Sequence, residues 1–206
     1  MGFYQRVFAA LMAQADSEQD TLYGDRKRVL FSGLKGTVLE IGPGSGVNLR
    51  YYPAGVEWIG VEPNPHMHPY IHGKAAKLNL DVTLLDDTVE TMPIEPASVD
   101  AVVSTLVLCS VPDVSATLAE IQRVLKPGGQ FCFIEHIAAP EGTLLRKAQR
   151  GIRPLWKLLA DGCHPDRATD HLLEAAGFSE VRYEHFDVTA APVPITKPHI
   201  IGIATR

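Results

Sequence analysis

Short apolar runs alternate with helical stretches along most of this chain. Thr37–Ile41, Glu57–Val61, Val82–Leu85, Val99–Thr105 and 130–136 are brief runs rich in β-branched residues, the pattern of strands buried on both faces. Between them, 65–78 and 114–125 carry apolar residues at helical spacing, and the second closes in Lys126-Pro127-Gly128-Gly129, a proline and glycine stop. Strand, helix, strand repetition predicts a parallel sheet covered on both faces. The end of the chain reads as a helix over 167–176 stopped by Gly177, then strands over Glu180–Asp187 and 199–205. Pro192, Val193, Pro194 and Pro198 fall in the connection between those strands, which suits an antiparallel addition at the sheet edge.

Two segments stand outside this alternation. Residues 1–15 place Phe3, Val7, Phe8, Leu11 and Met12 at helical spacing, and a second helical stretch over 20–32 ends at Gly33 and Gly36. Together, 1–33 read as a helical cap over the core or a ligand; peripheral contact of 1–15 with a membrane surface is the other use of such a stripe. Residues 140–166 are long for a plain connection, carry Trp156 and Leu158-Leu159 on a helix, and end in Asp161-Gly162-Cys163-His164-Pro165. Insertions of that length in compact domains are often lids on the substrate side. With no internal repeat or linker, 1–206 is expected to form one domain.

Composition narrows the partners. The net charge of −5, with Lys and Arg scattered, gives no basic surface for nucleic acid. Cys109, Cys132 and Cys163 read as free thiols of a reducing compartment, and no run approaches a membrane span or a signal peptide, so a cytoplasmic location is expected.

The strand 37–41 runs directly into Gly42-Pro43-Gly44-Ser45-Gly46. Glycines in a GxGxG pattern differ from the GxGxxG of dinucleotide sites, whose third glycine admits close helix packing under a pyrophosphate. Glu62, twenty residues after Gly42 at the end of the second strand, is placed to accept ribose hydroxyls. Glu40, just before the glycines, would repel a pyrophosphate and suits a ligand carrying an ammonium or sulfonium charge. Taken together these favour S-adenosylmethionine; a tight turn for the glycines and a solvated strand end for Glu62 are the plainer uses.

With the strand, the GxGxG loop, Glu62, Asp100 opening the fourth strand and Leu125-Lys126-Pro127-Gly128-Gly129 before the fifth, the chain resembles a class I S-adenosylmethionine-dependent methyltransferase. The resemblance implies a Rossmann-like α/β fold with helices on both faces of a seven-stranded, mostly parallel sheet of order 3214576, strand seven antiparallel. It implies that Glu40 and the backbone of Gly42, Gly44 and Gly46, with Pro43 and Asn48, hold the methionine part of the cofactor. Glu62 and Pro63 would take the ribose, and Asn64 or Met67 the adenine edge. Thr105 and Leu106 close the set at the end of the fourth strand. Where the family carries an acidic residue after the third strand this chain has Thr88, so the backbone of Val89 is the expected adenine contact.

A narrower similarity lies in Glu62-Pro63-Asn64-Pro65, in Ser104 to Val111 (STLVLCSV), in Glu135-His136-Ile137-Ala138-Ala139, in Trp156-Lys157 with Asp161-Gly162-Cys163, and in Pro198-His199-Ile200. These pieces are similar to the thiol S-methyltransferases of the methyltransferase-like group, membrane-associated enzymes whose N-terminal hydrophobic anchor is not seen here. The resemblance implies transfer of a methyl group to a small molecule, a thiol first, with S-adenosyl-L-homocysteine as product. A phospholipid amine, a phenol or carbon acceptor, or a cofactor-binding scaffold without transfer are the other readings.

In-line displacement at a sulfonium needs alignment more than covalent help. If a base is needed, His136 after the fifth strand is the first candidate, and Asp161 and His164 in the insertion are the second. His164, Trp156, Tyr4 and Phe8 are expected on the substrate wall, with Cys109 beside them as a small hydrophobe rather than a nucleophile. His66, His68 and His72 have no Cys or carboxylate nearby to complete a metal site, so no metal is expected.

Overall fold

The computed structural model describes residues 2–189 and 193–206; Pro192 of the expected connection lies outside them. Seven strands form one sheet: β1 (Thr37–Ile41), β2 (Glu57–Val61), β3 (Val82–Leu85), β4 (Val99–Thr105), β5 (Leu125–His136), β6 (Glu180–Asp187) and β7 (Pro198–Thr205), in the order β3-β2-β1-β4-β5-β7-β6. β7 runs antiparallel to β5 and to β6, and the remaining pairs are parallel. This is the Rossmann-like α/β arrangement that the sequence motifs imply.

The two-residue period of the strands sorts their side chains onto opposite faces. Leu39, Ile41, Val102, Phe131 and Phe133 enter the larger core, and there they meet α4 (Val114–Val124) and α6 (Thr169–Ala175) through Leu118, Ile121 and Leu173. Val38, Ala101, Val103 and Cys132 enter the opposite core with Phe31, from α2 (Asp16–Phe31). α3 (His68–Leu78) covers Trp58 on β2 through Ile71 and Ala75. Helix α4 starts where it does because the Asp113 carboxylate accepts the Ala116 N–H at 3.1 Å. Its buried positions Val114, Thr117, Leu118, Ile121 and Val124 fall on one stripe, each large apolar side chain contributing about 1.5–3 kcal/mol.

Several element boundaries differ from expectation, two of them by four residues or more. β5 begins at Leu125 rather than 130, because Lys126-Pro127-Gly128-Gly129 forms a bulge: Val99 pairs with Leu125 and Ala101 with Gln130. The chain end holds it there through Gly128 N–H to Arg206 O at 3.2 Å and Arg206 N–H to Gly129 O at 3.0 Å. Helix α2 begins at Asp16, four residues ahead of the predicted 20, with Asp16 and Glu18 in its first turn, where carboxylates complement the helix dipole. The remaining helices are α1 (Gly2–Gln14) and, within the 140–166 insertion, α5 (Leu144–Leu159), capped by Thr143.

The cap is fastened to the sheet by a buried polar contact. Tyr23 of α2 donates its hydroxyl proton to His199 Nε2 at 2.9 Å, while His199 Nδ1–H donates to Lys197 O at 3.0 Å. Both ring nitrogens are thus committed in the neutral state, and burial pushes the His199 pKa down to about 4. Below the unfolded value of about 6.5, the unfolded chain takes a proton that the folded one refuses, so His199's contribution is full above pH ~6.5 and lost as pH falls toward ~4. Chemical denaturation of the protein and of His199→Gln at pH 7 and pH 4.5 should show the parent losing roughly 2–3 kcal/mol more than the variant over that interval; equal losses would contradict the assignment.

Candidate functional site

The order of strands reverses between β1 and β4, and outside their carboxyl ends lies a cavity of about 310 Å³. That is the place where open α/β sheets bind ligands, because the loops that follow the two strands diverge to opposite faces. Loop geometry opens it. Gly42 has φ +56°, and a Cβ there would lie 2.7 Å from Val107 Cγ2, so the loop crosses the start of the β4–α4 connection with no room for a side chain. Gly44, also at φ +56°, has open space above it, leaving its backbone approachable by a ligand. Both line the cavity with Pro43.

Gly46 does not line it. A Cβ there would meet Ile71 Cα at 3.3 Å, so this glycine admits α3 and not a ligand.

Glu62 occupies the wall where β2 ends. Its Oε2 accepts the Gly44 N–H at 2.9 Å and its Oε1 the Asn64 N–H at 3.0 Å, which fixes the carboxylate plane and leaves a lone pair on each oxygen. Burial pushes its pKa up, against those two hydrogen bonds. Pro63, Asn64 and Met67 follow it on the wall, Asn64 also capping the turn by accepting His66 N–H at 3.1 Å.

Glu40 differs from expectation. Its side chain shares the β1 face with Val38, under α2, and does not reach the cavity. Asn48 Nδ2 donates to Oε1 at 2.8 Å, and Tyr52 Oη and Trp58 Nε1 donate to Oε2 at 2.8 and 3.0 Å. Burial pushes its pKa up, opposed by these donors and by Lys27. Lys27 is itself fully buried; burial pulls it down to about 8 while Glu40 pulls the other way. Its ammonium donates to Gln19 Oε1 at 3.2 Å, and Gln19 lines the cavity. Glu40 therefore acts on the site through Asn48, whose Nδ2 also reaches Thr105 Oγ1 at 3.1 Å. Asn48 lines the cavity, and its buried Oδ1 finds no partner among the described residues.

Thr88 and Val89 line the opposite end, in a 3-10 turn over Val89–Thr91. Sequence alignment with the family pattern put Thr88 at the acidic position; the turn instead brings in Glu90, two residues on, whose buried Oε1 has no partner among the described residues. Thr105 and Leu106 close the floor. Leu106 has φ +61°, a left-handed conformation that costs a branched residue on the order of 1–3 kcal/mol and is typical of functional loops.

The cap and the insertion supply the roof. Phe8 and Met12 of α1 line the cavity, as does Asp161 just past α5, and Asp161 N–H donates to Tyr4 Oη at 3.1 Å, joining the two segments. Burial pushes the Asp161 carboxyl up, and its charge pushes Glu62 up in turn, so the two carboxylates share one space.

The remaining predicted residues lie off this wall. Tyr4 reaches it only by holding Asp161, and His164 donates its backbone N–H to Cys109 O at 2.8 Å. His136, Cys109 and Trp156 turn toward Cys163 in a separate buried group: His136 Nε2 lies 3.0 Å from Cys163 Sγ, and Trp156 Nε1–H donates to the same sulfur at 3.3 Å. Cys163 is pulled down to about 4, first by the Cys109 thiol and then by His136, despite burial. Lys27, Gln19 and Glu90 escaped the sequence reading, and Cys163 was read only as a free thiol, because nothing local shows what they touch. Only α2 crossing β1, the 3-10 turn and the long 109-to-163 contact give them neighbours. His68 donates Nε2–H to Glu62 O at 2.9 Å and supports the β2 end.

Residues 39–133 match a family model described as a methyltransferase domain. The chain is 36% identical to thiol S-methyltransferase TMT1B of Rattus norvegicus, over 97% of this chain and 86% of that one, and 36% identical to thiol S-methyltransferase TMT1A of Homo sapiens, over 88% and 78%. Among solved structures, a SAM-dependent methyltransferase from Aquifex aeolicus superposes with TM-score 0.66 at 20% identity, covering 96% of this chain and 97% of its own. Geranyl diphosphate C-methyltransferase from Streptomyces coelicolor, in complex with S-adenosyl-L-homocysteine, gives 0.69 at 16%, covering 90% and 77%. These last two likenesses are of fold.

Proposed function

Because the chain belongs to the methyltransferase family that includes the thiol S-methyltransferases, we propose that its cavity binds S-adenosylmethionine and presents a small aliphatic thiol to it. The observation that carries this reading is Glu62, with both oxygens fixed by backbone N–H groups on the wall at the sheet's switch point. When bound, the cofactor supplies an electrophilic methyl group on a sulfonium. The residues fit that molecule: Glu62 for the ribose hydroxyls, the unpartnered Asn48 Oδ1 and the Gly44 backbone for the amino-acid end, Val89 and the unpartnered Glu90 Oε1 for the adenine edge and its amino group. Phe8, Met12 and Val107 exclude water around the acceptor.

Asp161 is the group on the wall suited to take the acceptor's proton. A thiol of pKa ~8.5 is mostly protonated at pH 7 and attacks as the thiolate. Burial raises Asp161 toward that value, which shortens the gap a general base must bridge. His136 does not reach the cavity and has no place in this step.

α1 and α5 leave large apolar side chains outward: Phe3 at 84%, Leu144 at 83% and Leu158 at 72% exposure, with Leu11 and Leu155 beside them in sequence register. Helix α5 carries five basic residues and no acidic one; Arg146 is buried against Glu141, Arg150 also pairs with Glu141 and Arg153 with Asp166, while Lys147 and Lys157 have no ion-pair partner among the described residues. No helix among the described residues is long and apolar enough to cross a membrane. A basic amphipathic surface of this kind lies in the plane of an anionic lipid interface, and that is the peripheral partner proposed for it.

Four outcomes are expected. Glu62→Ala should weaken S-adenosylmethionine binding, read by calorimetry, by about 2–4 kcal/mol, on the order of 30- to 700-fold in Kd; unchanged affinity removes Glu62 from the site. Mass spectrometry after incubation with a mixed thiol, amine and phenol panel should find the methyl group on aliphatic thiols. On that substrate Asp161→Asn should slow transfer by roughly 10²–10⁴-fold, with a far smaller loss on a thiophenol that is already ionised. Methylation of the amine or phenol alone, or equal losses on both thiols, would contradict the acceptor or the base. In flotation assays the protein should rise with anionic vesicles and stay down with zwitterionic ones, and Leu155→Ser with Leu158→Ser should abolish the rise; no flotation of the parent protein contradicts the lipid partner.

A further inference from the structure

The buried group behind the cavity wall is unused by methyl transfer, and its composition points to a different ligand. Cys109 comes from the β4–α4 connection, His136 from the last position of β5 and Cys163 from the loop after α5, and their ligand atoms all lie within 4.8 Å of one another. All three residues are buried, at 3%, 4% and 7% exposure. We propose that Cys109, His136 and Cys163 form a three-ligand site for a thiophilic divalent cation, with Zn²⁺ the ion whose preferences it matches.

The geometry and the chemistry agree. Zn–S bonds of ~2.3 Å and Zn–N bonds of ~2.0–2.1 Å at a tetrahedral centre set ligand atoms about 3.5–3.8 Å apart. The 3.0 Å between His136 Nε2 and Cys163 Sγ is a little short of that, and a widening of about half an ångström admits the ion. Two thiolates cancel the charge of a divalent cation, so occupation leaves no bare charge in this buried setting. The Trp156 indole N–H already points at Cys163 Sγ, the kind of outer contact that orients a ligating sulfur. His136 Nε2 faces Cys163 Sγ, and ligation through it would place the ring proton on Nδ1, which is buried without a partner among the described residues.

An ion there would join three elements that the chain connects only through long excursions: the ends of β4 and β5 and the substrate-side insertion. Cys163 lies two residues past Asp161, so the site would fasten the insertion that carries the roof of the cavity. The inference does not depend on which acceptor is methylated.

The test uses the full chain, reduced, stripped with a chelator and titrated with Zn²⁺ against a chromogenic competitor. One equivalent should bind, and Co²⁺ in its place should give the visible bands of a tetrahedral site together with thiolate charge-transfer absorption. Cys109→Ser with Cys163→Ser should abolish uptake, while Cys132→Ser, on the opposite sheet face, should retain it. Should the double variant fail to fold, the parent protein alone decides: Zn²⁺ should protect Cys109 and Cys163, and not Cys132, from alkylation under mildly denaturing conditions. Absence of uptake by the reduced, folded protein, uptake that survives the double variant, or alkylation unaffected by zinc would each overturn the site. So would a Cys109–Cys163 disulfide whose reduction yields no zinc binding, which would make the pair a redox couple instead.

Discussion

The site depends on one carboxylate doing two structural tasks before any ligand arrives. Glu62 ends β2, yet its oxygens hold the N–H of Gly44, in the loop after β1, and of Asn64, in its own loop. That bridge sets the distance between the two loops at the point where the sheet changes direction, and the cavity is the space that remains. Hydrogen bonds from backbone N–H groups favour the ionised form while burial opposes it. The residual lone pairs are consequently presented in a fixed plane, with little ordering left for a diol to impose.

A second buried carboxylate governs the other side of the loop. Glu40 is enclosed by Asn48, Tyr52 and Trp58 and faces Lys27 from the cap. Removing one member of such a group leaves the others desolvated and unpaired, a loss of about 3–5 kcal/mol, whereas the intact group adds little net stability. Its role is specification: α2 is held in one register across β1, and the Asn48 amide is turned so that its Nδ2 faces inward and its Oδ1 stays unsatisfied. The Tyr23–His199 contact secures the same helix at the far side of the sheet.

What the sequence disclosed follows from which interactions are local. The strands β1 to β4 and β6 begin and end where predicted, β1 and β4 because burial on both faces marks almost every residue, and the edge strand β6 because half-buried Val181, Tyr183 and Phe186 are interspersed with exposed residues. β5 departs because its bulge is held by Arg206, 77 residues beyond Gly129 and invisible to any window of sequence. The glycine loop was legible as a ligand loop, but Gly46 proved to serve helix packing and Glu40 the loop's underside, since strand alternation and the neighbouring α3 decide where those residues face. His136 was placed at the right end of the right strand and still turned from the cavity, toward a cysteine 27 residues later. Glu90 was missed by two positions because the 3-10 turn over Val89–Thr91 brings its side chain to the cavity, and nothing local in the sequence marks that turn.

The central claim is that the cavity between β1 and β4 holds the cofactor in the orientation set by Glu62. A crystal structure of the protein with S-adenosyl-L-homocysteine tests it most directly. The account predicts both ribose hydroxyls on the Glu62 carboxylate, the amino-acid end at Gly44 and Asn48, and the adenine beside Val89 and Glu90. Ribose density away from Glu62, or the same ligand lodged in another part of the molecule, would contradict it.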